Sequence, residues 1–61
     1  MVRAKVVVLE GTTEEITEEL TGILEDLQKG GSEVIDVKVT HAREHGIDGF
    51  TVVYTIVYKE G

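Results

Sequence analysis

The stretch Phe50–Tyr58 constrains this chain more than any other. Phe50, Val52, Tyr54, Ile56 and Tyr58 alternate with Thr51, Val53, Thr55 and Val57, a period of two with β-branched or aromatic residues throughout, so the segment is a strand. Apolar side chains fall on both of its faces. A strand of that kind belongs in the middle of a sheet rather than at its rim. The rest of the chain must therefore supply a neighbour on each side.

It contains two further segments of the same period. Val2–Leu9 sets Val2, Ala4, Val6 and Val8 against Arg3, Lys5, Val7 and Leu9, and Glu33–His41 sets Ile35, Val37 and Val39 against Val34, Asp36, Lys38 and Thr40. Between them the period changes. Ile16, Leu20, Ile23, Leu24 and Leu27 draw one apolar stripe on a helix of about residues 13 to 28, with Glu14, Glu18 and Glu25 opposite it. Thr12 and Glu15 form a capping box at its start, and Gly30-Gly31 supply a left-handed turn at its end. Gly22, in mid-helix, costs roughly 1 kcal/mol relative to Ala. Either nothing opposes it, or another backbone approaches there.

The order β-α-β-β predicts a single α+β domain over residues 1–61. A crossover through the helix makes the first two strands parallel, and the third inserts between them, giving strand order 1-3-2 with one helix packed on one face. Pairing Val39 with Val52, Val37 with Tyr54 and Ile35 with Ile56 turns the large apolar residues of the hairpin towards the helix. The opposite face is then assigned Arg3, Lys5, Val7, Leu9, Val34, Asp36, Lys38, Thr40, Thr51, Val53, Thr55 and Val57. It is either wet, as in many antiparallel sheets, or covered by a second copy.

Size favours the second copy. A chain of 61 residues buries only about 60% of the surface exposed on unfolding, and small domains recover the deficit with disulfides, metals or self-association. There is no Cys, which removes disulfides and thiolate zinc sites together. The sequence thus predicts a homo-oligomer with Val7, Leu9, Val34, Val53 and Val57 at the interface. Hydrophobic content of 41% is that of an ordinary folded domain. The longest apolar run, Val6-Val7-Val8-Leu9, is far short of a membrane span or signal core, so no membrane partner and a cytoplasmic location are expected.

Formal charge is −6, and six acids (Glu14, Glu15, Glu18, Glu19, Glu25, Asp26) crowd residues 13 to 29, with Lys29 the only base there. That balance argues against a nucleic-acid partner, which needs a basic footprint. A small anionic metabolite or nucleotide at a subunit boundary is a possible partner, with Arg3, Lys5, Lys38 and Arg43 as candidate contacts.

One segment has the look of chemistry. His41-Ala42-Arg43-Glu44-His45 fits the H-x-x-E-H pattern of a zinc peptidase class. In an extended segment, however, four residues span about 13 Å, too far to share one zinc ion. Residues 42 to 48 read instead as a long hairpin loop closed by Gly46-Ile47-Asp48-Gly49 turn chemistry, either solvated or a modest anion-binding corner with Arg43, His41 and His45. No catalytic residue, metal site or cofactor is predicted, and the chain is read as a non-enzyme. Tyr54 and Tyr58 could stack bases, but they lie on the apolar face without interleaved Lys or Arg, so core packing accounts for them better.

Two resemblances bear on function. The run Glu33-Val34-Ile35-Asp36-Val37-Lys38-Val39, followed after a polar loop by a Phe-to-Tyr apolar strand, resembles the short Bacillus-type sporulation protein family. Its members are about this long, share the acid-rich helix and have no assigned biochemical activity. The likeness spans nearly the whole chain and implies no site. Gly11-Thr12-Thr13-Glu14-Glu15 after a first strand resembles dodecin, a β-α-β-β family that assembles into hollow flavin-storing particles. That likeness implies assembly and small-ligand storage. Where dodecin carries a flavin-stacking Trp this chain has Ile35, and where it carries a ligand-binding Gln this chain has Thr51.

Overall fold

The computed structural model describes all 61 residues. Strand β1 (Val2–Gly11) leads into helix α1 (Thr13–Lys29), then β2 (Glu33–Glu44), a single 3-10 turn (Gly46–Asp48) and β3 (Phe50–Lys59). The sheet order is β1-β3-β2, and β3 is antiparallel to both neighbours. The α+β architecture and the central place of the most apolar strand are those the sequence predicts.

The ends of the helix are set by local chemistry. Thr12 Oγ1 accepts from the Glu15 N–H at 3.2 Å, while the Thr12 N–H donates to Glu15 Oε1 at 3.0 Å, so two otherwise orphaned donors are satisfied reciprocally. At the other end the Ser32 N–H donates to Leu27 C=O and the Gly31 N–H to Gln28 C=O, the double closure of a Schellman turn. Gly31, with φ of 88°, supplies its left-handed residue. Gly30 stays right-handed at φ −78°.

The core is small. Leu9, Ile16, Val52 and Ile56 are the only apolar side chains that are buried, and Val7, Leu20, Ile23 and Tyr54 pack around the first three. Two expectations about the sheet need correction here. Leu9 lies opposite Val52 and Val7 opposite Tyr54, and directly opposed residues share a face. Val7 and Leu9 therefore lie under α1, and the uncovered side of β1 is Val2, Ala4, Val6 and Val8. Val34, opposite Tyr58, is also on the helix side. The alternation in β1 is legible, but its phase is not, because β1 joins β3 through no hairpin that would fix their register.

The second correction concerns β2. Val37 pairs with Ile56 and Val39 with Tyr54, two residues away from the expected pairing, and Ala42 pairs with Val52, three residues away. The strand runs on to Glu44 and the reversal takes only the 3-10 turn, closed by the His45 N–H to Gly49 C=O bond. Residues 42 to 44 are thus strand, not loop. Two bulges, one between Val34 and Asp36 and one between Val39 and His41, take up the difference. At the second, Thr40 Oγ1 donates to Val53 C=O at 3.2 Å. Ile35 and Val39 remain more than half exposed rather than joining the core.

Candidate functional site

A single helix covers one side of the sheet, and the other side is open. From the pairing, this open face carries Val2, Ala4, Val6, Val8 and Glu10 from β1, and Thr51, Val53, Thr55, Val57 and Lys59 from β3. From β2 it carries Glu33, Asp36, Lys38, His41 and Arg43. Val2, Val6 and Val8 are each at least 60% exposed. They form, with Ala4, Val53 and Val57, an aliphatic field over the β1–β3 half, bordered by the charged residues of β2. Glu10, Glu33 and Asp36 balance Lys38, Arg43 and Lys59, so this face is neutral while the chain as a whole carries −6. The excess acid lies elsewhere, chiefly on α1.

The predicted interface residues divide accordingly. Val53 and Val57 lie on the open face, whereas Val7, Leu9 and Val34 lie beneath the helix. The residues that sequence reasoning missed are Val2, Ala4, Val6 and Val8. The sequence offers only a hint of them in Leu9, the one leucine of β1, which stands three residues before the helix cap and packs with Ile16, and that hint does not by itself fix the phase of the strand.

The four candidate anion contacts also divide. Arg3 and Lys5 share the helix side of β1, near its start. Arg3 Nη1 is held by Glu60 Oε2 at 2.9 Å, and that carboxylate pushes the guanidinium pKa further up. Lys38 and Arg43 lie on the open face of β2, with Lys38 Nζ 3.8 Å from Asp36 Oδ2. One copy of the chain brings these four bases to no common point.

At the hairpin end a shallow recess of about 300 Å³ is lined by Glu10, Gly11, His45, Asp48, Phe50 and Thr51. Its volume is at the lower limit of small-molecule sites. His45 Nε2 lies 2.6 Å from Thr51 Oγ1, which ties the imidazole to β3. The two carboxylates make it a poor seat for an anion. His41 stands within β2 opposite Val53, so the two histidines of the H-x-x-E-H pattern are on an extended strand and beyond its end, not on one helical face. No group of three or more His, Cys, Asp or Glu side chains is placed to hold a metal ion.

No helix is long and apolar enough to cross a membrane. Comparison with protein-family models, with curated proteins and with solved structures yields no match.

Proposed function

We propose that this chain is a non-enzymatic, self-associating module of the cytoplasm whose open sheet face is covered by a second copy. The observation that carries the reading is the exposed aliphatic field of Val2, Val6 and Val8 beside Val53 and Val57, set against a core of only four buried apolar side chains. The single copy is also poorly closed. Its accessible surface is 4350 Å², whereas a compact monomer of 6.7 kDa exposes about 3,900 Å². Its radius of gyration is 12.3 Å, against about 10.5 Å for a compact chain of this length. Charge favours a like partner, because the open face is neutral and two copies can meet there without stacking their acidic helices.

Light scattering tests it. The wild type is expected to run as a dimer or larger, and Val53→Glu to dissociate or unfold it, since that charge stands on the central strand within the field, opposite Val8, and would be desolvated by a partner. A wild-type monomer at high micromolar concentration rules the reading out.

A second reading is favoured by Lys38 and Arg43, which share the open face with the aliphatic field. In it, an anionic metabolite or nucleotide is held where two copies meet, as the dodecin resemblance implies. Thermal-shift measurements against nucleotides and flavins separate the two readings, with no shift expected under the first. The sporulation resemblance adds a process, tested by following expression of the gene through sporulation.

A further inference from the structure

The two rims of the sheet differ in a way that assigns a role to one of them. Strand β2 is interrupted by bulges at two places, whereas β1 runs in unbroken register with β3 for all ten of its residues. Bulges are a usual means of blunting an edge against unwanted pairing, and a long, regular edge lacks that protection. The phase of β1's free edge follows from one bond. The Glu60 N–H donates to Met1 C=O at 2.8 Å, and these two residues continue the pairing of Val2 with Lys59. Hydrogen-bonded pairs alternate along an antiparallel ladder. Arg3, Lys5, Val7 and Leu9 therefore turn their N–H and C=O groups towards β3. Val2, Ala4, Val6, Val8 and Glu10 turn theirs outward.

We infer that β1 is a joining edge, pairing antiparallel with β1 of a second copy to make one six-stranded sheet. The inference rests on the proposed self-association and names a contact that covering the open face does not require. Side chains decide for a like partner and limit the register. A two-fold centred on Val6 sets Val6 against Val6 and Ala4 against Val8 on the open side. On the helix side it sets Lys5 against Val7 and Arg3 against Leu9, so no like charges meet. A centre at Ala4 or Lys5 would oppose Arg3 to Lys5, or Lys5 to its own copy, which cross-strand pairing disfavours. Joined in this way, two copies merge their aliphatic fields into one band of twice the width. Both copies keep that band on the same side of the sheet, available to a further pair.

Amide hydrogen exchange on the wild type, read residue by residue by NMR, tests this beside the measured mass. Amides of Lys5, Val7 and Leu9, bonded within the copy, serve as the internal standard. If β1 joins β1, the protein is oligomeric and the amides of Ala4, Val6 and Val8 exchange within about tenfold of that standard. An oligomer in which these three exchange at least a hundredfold faster than the standard overturns the edge contact and leaves face-to-face association standing. A monomer overturns both. Val6→Pro supplies a second measurement, because it removes an N–H that the fold itself does not use. The folded variant is expected to lose half the mass of the assembly, and an unchanged mass overturns the inference. Should Val6→Pro fail to fold, the exchange rates of the wild type decide alone.

Discussion

Two glycines that look alike in the sequence stand in opposite circumstances. A Cβ on Gly22 would meet nothing within 4 Å, whereas Gly49 is buried at φ of 99° and a Cβ there would run into the carbonyl of Gly11. Gly22 thus serves no close approach within the chain, and Gly22→Ala is expected to raise stability by about 0.5–1 kcal/mol through helix propensity. Gly49→Ala is expected to lower it by roughly 2–4 kcal/mol, from a left-handed backbone and an overpacked contact. Urea melts of the two variants should move in opposite directions. Glu15 offers a second test at this scale. Its hydrogen bonds with the Thr12 backbone and side chain hold its pKa below the ordinary glutamate value. A depressed folded-state pKa contributes stability that is present above the unfolded value, about 4.3, and is lost as pH falls through the folded one. Glu15→Gln keeps an acceptor without the charge, so its melting temperature should fall less than that of the wild type between pH 5 and pH 2, followed by circular dichroism.

Among the elements, α1 was the most legible and is the easiest to test. Its stripe meets the sheet through Ile16, Leu20 and Ile23, while Glu18 is exposed. Leu20→Ala is expected to cost about 2–3 kcal/mol, towards the lower end for a core truncation because the side chain is only half-buried. Glu18→Ala should be neutral or slightly stabilising, since it relieves repulsion from Glu14 one turn earlier. Equal effects of the two in denaturant melts would show the stripe to be misplaced. The helix could be read because its cap, stripe and closing turn all lie within one short segment. The strands could be read as strands for the same reason. What could not be read was anything that depends on two distant segments: the phase of β1 against β3, and the two bulges that shift β2. Alternation says that Val7 and Val8 face opposite ways, and both are valines, so only the pairing of Leu9 with Val52 decides which one is covered. The candidate site inherits that ambiguity. An open apolar face was legible in the balance of one helix against three strands; most of its residues, Val2, Ala4, Val6 and Val8 among them, were not.

For the whole molecule the decisive quantity is where the charge lies. The chain carries −6, yet the open face has as many bases as acids, so the proposed association would bring together neutral surfaces attached to acidic bodies. A three-stranded face of this length offers on the order of 500 Å² per copy, about 1,000 Å² for a pair, which is at the lower limit of a specific interface. Long-range repulsion is therefore a sizeable fraction of a modest gain. Raising ionic strength from about 0.01 M to 0.15 M shortens the screening length from about 30 Å to about 8 Å, which weakens repulsion between the helices and leaves apolar contact almost unchanged. Salt is expected to tighten the assembly several-fold in sedimentation equilibrium. The melting temperature should rise with protein concentration at both ionic strengths, because association stabilises by mass action. If salt instead loosened the assembly, ion pairs would be holding it, and the acidic helix of one copy would be meeting Lys38 and Arg43 of the next. That arrangement is head-to-tail and open-ended, and is distinguished from a closed pair by a mass that keeps growing with concentration.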